Sequence, residues 1–188
     1  MIESPRMTFD KSFYFVRHGE TDWNRNFVYQ GPHDIPLNDL GLKQAHTVAE
    51  KLTQVSFSTI CTSPLLRAHK TAEIISQHNT GKGFLIIRDL MECFSKETAS
   101  HILSDKGVHP LPSFEKLEPH PEEPNDFIFR IKKGLYRALH EPDPLIVAHG
   151  GVCWALCRIL GLKNLATPNC CLIHFNFVND RYIASIIS

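Results

Sequence analysis

The chain has 188 residues, of which 43% are hydrophobic and 21% are charged, an ordinary balance for a globular protein with a substantial core. Acidic and basic residues number 20 each, so the sequence lacks the basic surplus expected of a protein that binds nucleic acid or an anionic membrane. No apolar run approaches the roughly 20 residues of a membrane-spanning helix, and residues 1–12 lack the apolar centre of a secretion signal. We therefore expect a cytoplasmic protein.

Periodicity predicts strands that alternate with helices. In chain order the predictions are a strand at 12–16, a loop, a helix N-capped by Asn38, a strand at 57–62, a helix from Pro64 to Gln77, a strand at 84–87, a helix at 125–139, a strand at 145–148, a helix ending near Leu160, and a final hairpin at 171–187. This alternation favours a mostly parallel sheet covered on both faces, with one antiparallel element at its edge.

The segment 93–124 is irregular and contains five prolines. We interpret it as an excursion within a single domain that spans residues 1–188. The six cysteines are interpreted as reduced thiols, because several lie in apolar runs where cysteine behaves as a small hydrophobe. Cys153 and Cys157 share one face of a predicted helix, but no second Cys/His pair stands at ligand spacing, so the sequence predicts neither a zinc site nor any other cofactor.

Chemistry-bearing side chains stand at or just after four predicted strand ends, namely Arg17-His18, Arg67, Glu92 and His149. Parallel strands end at the same edge of a sheet, so these residues can converge on one crevice. Arginine forks suit phosphoryl oxygens, and a histidine nitrogen can attack phosphorus. We expect the arginines and a protonated His149 to hold the phosphoryl charge, and Glu92 to protonate the leaving oxygen and then activate water. Such a site needs no metal.

The segments that carry these residues resemble the motifs of the histidine phosphatase superfamily, also called the phosphoglycerate mutase-like family. The matching stretches are Phe15–Asn24, Gln30-Gly31 with Ile35–Asn38, Ser63–Ala72 and Val147–Val152. The resemblance implies a three-layer α/β/α sandwich and transfer of the phosphoryl group to His18 and then to water or another hydroxyl. By position, it also implies that Asn24 donates to the phosphate, that Gln30 and the Gly31 backbone flank it, and that Gly150 joins His149 in binding it.

The match departs from the family pattern after the acidic residue. The family usually continues with an aromatic-Gly pair and then Glu-Gly, whereas Cys93-Phe94-Ser95 follow here. Glu92 fits by its distance from the third strand, and Glu97 remains an alternative proton donor.

The expected function is metal-independent hydrolysis of a small phosphorylated metabolite. One alternative is a phosphoglycerate mutase-type transferase. Family mutases shield the phosphoenzyme with a longer, basic insertion, whereas residues 95–124 are short and hold three lysines and no arginine, which favours hydrolysis. The other alternative is a non-catalytic module that binds a phosphorylated ligand, and the altered acidic loop is its only support. The sequence leaves the substrate and the oligomeric state open.

Overall fold

The computed structural model describes residues 9–94 and 121–187. The strands are β1 (Phe13–Arg17), β2 (Thr59–Thr62), β3 (Gly83–Ile86), β4 (Pro144–Ala148), β5 (Leu172–Val178) and β6 (Arg181–Ile187); the helices are α1 (Asp22–Arg25), α2 (Asp39–Leu52), α3 (Leu66–His78), α4 (Pro124–Leu139) and α5 (Gly150–Ile159), with a 3₁₀ turn at Arg88–Leu90. Every predicted helix and strand is present. Helix α1 and the 3₁₀ turn are not predicted from the sequence, because three or four residues are too few for a periodic pattern.

The six strands form one sheet in the order β3-β2-β4-β1-β5-β6. Strands β1, β2, β3 and β4 are mutually parallel, whereas β5 runs antiparallel to β1 and β6 antiparallel to β5. The turn between β5 and β6 places Asn179 and Asp180 at positive φ, as two-residue hairpin turns require. The predicted mostly parallel sheet with an antiparallel edge hairpin is confirmed.

Hydrophobic residues alternate between the two faces of the sheet and build a core on each side. Phe15 and Ile146 pack in the cluster that contains the inner faces of α4 and α5. Their neighbours Val16 and Val147 pack in the cluster that contains the inner faces of α2 and α3. Strands buried on both faces need helices on both faces, so the chain forms the expected three layers.

Helix α3 begins later than predicted. Pro64 was expected in its first turn, but the helix starts at Leu66, and Leu65 at the N-cap position makes no side-chain cap. The buried carboxylate of Asp34 serves instead, because its Oδ1 accepts a hydrogen bond from the Leu66 N–H at 2.5 Å. This cap comes from a distant loop, so the local sequence could not reveal it. It fixes the start of the helix that carries Arg67.

Strand register places the two motif histidines together. Arg17 pairs with Ala148 in the β1–β4 ladder, so His18 and His149 each follow directly on a paired residue. Thr62 pairs with Val147 in the β2–β4 ladder, which brings Ser63 beside the same point. The carboxyl ends of three neighbouring strands therefore deliver these three residues to one place.

Gly19 owes its role to backbone packing. A Cβ there would overlap the carbonyl group of Gly41 at the start of α2. The absence of a side chain at residue 19 therefore lets the loop after β1 pack closely against the first turn of α2.

Within the described residues, no helix is long and apolar enough to cross a membrane. All six cysteines are free thiols. No group of three or more histidine, cysteine or acidic side chains is arranged to hold a metal ion in the described ranges 9–94 and 121–187.

Candidate active site

A cavity of about 490 Å³ opens at the carboxyl edge of the parallel strands. Its wall includes all but one of the predicted site residues: Arg17, His18, Asn24, Gln30, Gly31, Arg67, Glu92 and Gly150. The exception, His149, is fully buried directly behind His18, with 5.2 Å between the two ring centroids. The sequence prediction that these distant residues converge agrees with this geometry.

His18 presents an uncharged nitrogen lone pair. Its Nδ1 lies 2.7 Å from the Gly19 carbonyl oxygen, which can only accept a hydrogen bond. Nδ1 must therefore carry the proton, and Nε2 keeps the lone pair. Burial, followed by the positive charges of Arg67 and Arg17, holds the pKa of His18 well below its usual 6.5. A neutral imidazole with a free Nε2 is the form that can act as a nucleophile.

Arg67 and Arg17 bring two guanidinium groups to the same cavity. Arg67 is fully buried and donates through Nη1 to the His33 carbonyl at 2.6 Å and through Nη2 to the Gly31 carbonyl at 2.8 Å. Arg17 donates through Nη1 to the Thr167 carbonyl at 2.7 Å.

Each of these arginines also has a buried Nε without a hydrogen-bond partner in the described part of the chain. Burial lowers the pKa of Arg67 to about 10, which leaves it charged at neutral pH. Buried charges with unused donors are costly, so the arrangement suits an anionic ligand.

His149 is held by a side chain at the end of the neighbouring strand β2. Its Nε2 lies 2.8 Å from the Ser63 hydroxyl, and its Nδ1 is buried without a partner among the described residues. It occupies the N-cap position of α5, but its side chain makes no cap hydrogen bond. Burial and the charge of Arg67 hold the pKa of His149 well below 6.5. Burial and the neighbouring positive charges therefore favour the neutral form of His149 in the ligand-free protein, in contrast to the imidazolium expected for the phosphoryl complex.

Glu92 is fixed by backbone donors. Its Oε1 accepts from the Cys93 N–H at 2.8 Å, and its Oε2 accepts from the Gly151 N–H at 3.1 Å. Gly151 leaves room for this position of the carboxylate, because a Cβ at residue 151 would overlap it. The alternative proton donor, Glu97, lies outside the described residues.

Arg130 of α4 clamps the loop that carries Glu92. Its Nη1 donates to the carbonyl oxygens of Asp89 at 2.9 Å and Met91 at 3.0 Å. Its Nε and Nη2 form a two-point ion pair with the Glu122 carboxylate at 2.6 and 2.7 Å. A bidentate arginine in this position restrains the loop geometrically as well as electrostatically.

Of the remaining predicted residues, Asn24 lies in α1, and Gln30 and Gly31 lie on the loop between α1 and α2. The Oδ1 of Asn24 accepts hydrogen bonds from the Thr21 N–H at 3.3 Å and from the Asn169 amide at 3.2 Å. This fixes the orientation of the Asn24 amide and leaves its nitrogen available to a ligand. Gln30 is 6% exposed, with a buried Oε1 that lacks a partner among the described residues. Gly31 has a φ of +49° and supplies the carbonyl that Arg67 binds.

Comparison with known proteins places this site in a family. Residues 13–185 match the model of the histidine phosphatase superfamily (branch 1). The chain belongs to the histidine phosphatase superfamily. It is 33% identical over 180 residues to the uncharacterized phosphatase PhoE of Bacillus subtilis (strain 168), with 89% of each protein covered.

Solved structures with the same fold include enzymes of two kinds. The phosphoglycerate mutase of Thermus thermophilus superposes with a TM-score of 0.67 at 27% identity, over 95% of this chain and 99% of that one. The mycobacterial glucosyl-3-phosphoglycerate phosphatase in complex with VO3 superposes with a TM-score of 0.69 at 25% identity, over 94% and 97%. The predicted family and phosphoglycerate mutase-like fold are confirmed, and the protein is a phosphatase of this superfamily.

Three residues of this histidine phosphatase site escaped the sequence analysis. Asn169 lines the cavity and donates to both the His18 carbonyl at 3.0 Å and the Asn24 side chain. Ser63 bonds His149, and Gly151 bonds Glu92. Ser63 and Gly151 lie within the matched family motifs. Their positions, directly after a predicted strand and at the start of a predicted helix, could have identified them as site residues. Asn169 lies in an irregular loop with no periodic signal.

Proposed function

We propose that the protein hydrolyses phosphomonoesters through a covalent phosphohistidine on His18, without a metal ion. The observation that carries this proposal is the hydrogen bond from His18 Nδ1–H to the Gly19 carbonyl, which leaves a neutral Nε2 beside two charged guanidinium groups. Side chains thus supply both the nucleophile and the positive charge that stabilises a phosphoryl group during transfer.

In the first step, His18 Nε2 forms a bond to phosphorus while the bond from phosphorus to the ester oxygen breaks. Arg17 and Arg67 hold the phosphoryl oxygens, where their buried Nε atoms lack other partners among the described residues. The leaving oxygen takes a proton from the carboxyl group of Glu92. The imidazole becomes positively charged, and the Gly19 carbonyl supports that charge by accepting from Nδ1–H.

In the second step, Glu92 as carboxylate takes a proton from water while the water oxygen bonds to phosphorus. The phosphorus–nitrogen bond breaks, its electron pair returns to Nε2, and inorganic phosphate leaves. His149 gains a proton only while phosphoryl charge occupies the site, since burial and the charge of Arg67 otherwise disfavour its charged form. Asn24 donates to the same phosphoryl group, with Gln30, Gly31 and Gly150 beside it.

The test is release of phosphate from p-nitrophenyl phosphate in the presence of EDTA, by the wild type, His18→Ala and His46→Ala. His46 is an exposed residue of α2 and serves as the matched histidine control. We expect full activity in EDTA and in His46→Ala, no activity in His18→Ala, and an acid-labile phosphoryl adduct on the wild-type chain after rapid quenching.

Each other outcome contradicts a particular part of the proposal. Loss of activity in EDTA contradicts metal independence. Turnover by His18→Ala contradicts the nucleophile. Interconversion of phosphoglycerates much faster than phosphate release indicates a mutase, and binding of a phosphorylated ligand that is returned unaltered indicates a binding module.

A further inference from the structure

One wall of the cavity is apolar and open to solvent. It consists of Phe27, Val28 and Tyr29, which are 97%, 41% and 43% exposed. Single exposed hydrophobic residues are common on protein surfaces and need no explanation. Three consecutive ones that line a cavity together with the nucleophile form a patch of the kind that contacts a ligand.

The backbone conformation at residue 27 is unfavourable for a phenylalanine. Helix α1 ends in a Schellman motif, in which Phe27 N–H bonds the Asn24 carbonyl at 3.1 Å and Val28 N–H bonds the Trp23 carbonyl at 2.8 Å. The residue in the left-handed position is Phe27 itself, with a φ of +55°. Glycine or asparagine adopts this conformation with little strain, whereas a bulky side chain does not.

Burial of the Phe27 side chain does not offset this backbone strain. The ring of Phe27 is almost fully exposed, so it contributes little burial to the core. Strained residues that the fold does not require cluster at functional sites. The ring is therefore best explained by a contact with a molecule outside the chain, at the mouth of the phosphate cavity.

The charged residues of the cavity wall indicate the chemical class of that molecule. Among the described lining residues, Arg17 and Arg67 are the only cations, and the proposed function uses both for the phosphoryl group. No other cation of the described wall is available for a second negative group, such as a carboxylate on the substrate.

Tyr29 connects this apolar wall to the proton donor. Its hydroxyl donates to the Cys93 carbonyl at 3.0 Å, directly after Glu92 in the chain. The apolar wall thus lies on the side of the cavity from which Glu92 protonates the leaving oxygen in the proposed mechanism.

We infer that Phe27, Val28 and Tyr29 form the leaving-group subsite, and that it selects phosphomonoesters of uncharged aromatic alcohols over compact carboxylated phosphates. This inference rests on the proposed phosphatase function. The alcohol leaves with the proton from Glu92, and its ring packs against Phe27 and Tyr29 while the phosphoryl group stays with the arginines.

The experiment compares kcat/KM for 2-naphthyl phosphate with that for glycerol 2-phosphate and for phosphoserine. We expect the wild type to prefer the naphthyl ester. Phe27→Asn keeps a residue that accepts the left-handed conformation and removes the ring, so the naphthyl-to-glycerol ratio should fall about two- to tenfold, the range of an aromatic contact. Its thermal midpoint should be unchanged or higher, which separates loss of the contact from loss of the fold.

Two further variants sharpen the result. Phe27→Leu keeps an apolar side chain in the same backbone conformation, and an intermediate ratio is expected if ring stacking contributes beyond apolar burial. Phe129→Ala removes an exposed ring of α4 that is not part of the cavity wall, and its ratio should equal that of the wild type.

The inference is overturned if the wild type prefers phosphoserine, or if Phe27→Asn lowers kcat/KM equally for all three esters. If no ester is hydrolysed, the proposed function fails, and calorimetric binding of the same esters then tests the subsite alone. A two- to tenfold loss of naphthyl phosphate affinity in Phe27→Asn supports it in that case, about the size of one aromatic contact, and equal affinities overturn it.

Discussion

The substitution Gly151→Ala isolates the position of Glu92 without touching its carboxyl group. A methyl group at residue 151 would overlap Glu92 Oε1 and lie 3.1 Å from its Cδ. The obstructing atoms are the end of a flexible side chain, so the carboxylate would swing away and the fold would stay intact. Residue 151 is in the first turn of α5, where alanine also has a better helix propensity than glycine, by up to about 1 kcal/mol.

The expected effect follows from the distance that Glu92 must move. Relief of the overlap requires a shift of about 1 Å and breaks the hydrogen bond from the Gly151 N–H, and a misplacement of this size can cost about 10²-fold in rate. The loss should depend on the leaving group, because a poor one needs protonation and p-nitrophenolate does not. We therefore expect kcat/KM to fall about 10²-fold for glycerol 2-phosphate and much less for p-nitrophenyl phosphate.

Gly150→Ala is the matched control. A Cβ at residue 150 would meet ordinary contacts only, the nearest being Arg17 Cζ and Nε at 3.8 Å. Both variants should unfold at or above the wild-type temperature. The reasoning is refuted if Gly151→Ala affects the two esters equally, or if Gly150→Ala reproduces the same leaving-group dependence.

Three further predictions concern groups around the histidines and the acidic loop. Ser63→Ala leaves the buried His149 without its bond to the hydroxyl, so the free energy of unfolding in urea should drop by about 1–3 kcal/mol, and an unchanged value would refute that bond. Arg130→Lys cannot reproduce the fork that clamps the acidic loop, so it should show the same leaving-group dependence as Gly151→Ala, and equal losses for both esters would argue against this role. The pKa values of His18 and His149 are depressed in the folded state, so the folded protein binds fewer protons than the unfolded chain below pH 6.5. Stability should therefore decline as pH falls below about 6.5, by at most about 1.4 kcal/mol per pH unit for each histidine; a smaller slope is expected in His149→Gln, and a flat wild-type profile would contradict the burial argument.

The sequence was sufficient for the sheet and for the convergence of the site. Apolar runs and helical stripes have periods that a single sequence displays, and parallel strands end at one edge by topology. Arg17, His18 and Arg67 could therefore be placed at one crevice before any distance was known. Family motifs added Asn24, in a helix of four residues, and Gln30, in the loop that follows; neither segment carries a periodic signal.

The features that the sequence did not reveal depend on contacts between distant segments. The helix start at Leu66 depends on Asp34, a residue more than thirty positions earlier, and not on Pro64 beside it. Asn169 reaches His18 across most of the chain, from a loop whose path no local rule predicts. The lowered pKa of His149 in the ligand-free protein could not be predicted for a related reason, because burial and the proximity of Arg67 are three-dimensional quantities.

The electrostatics of the site link binding to nucleophilicity. Positive charge at Arg67 and Arg17 attracts a phosphoryl dianion, and the same charge lowers the pKa of His18 and so keeps its lone pair free. An acidic neighbour would have the opposite effect, because it would orient the histidine but also favour the imidazolium. Here the neutral Gly19 carbonyl orients the ring; its hydrogen bond favours the protonated form, but burial and the two arginines outweigh it and keep the pKa of His18 well below 6.5. In the proposed mechanism, the same pair of arginines therefore binds the phosphoryl group and, together with burial, keeps His18 uncharged.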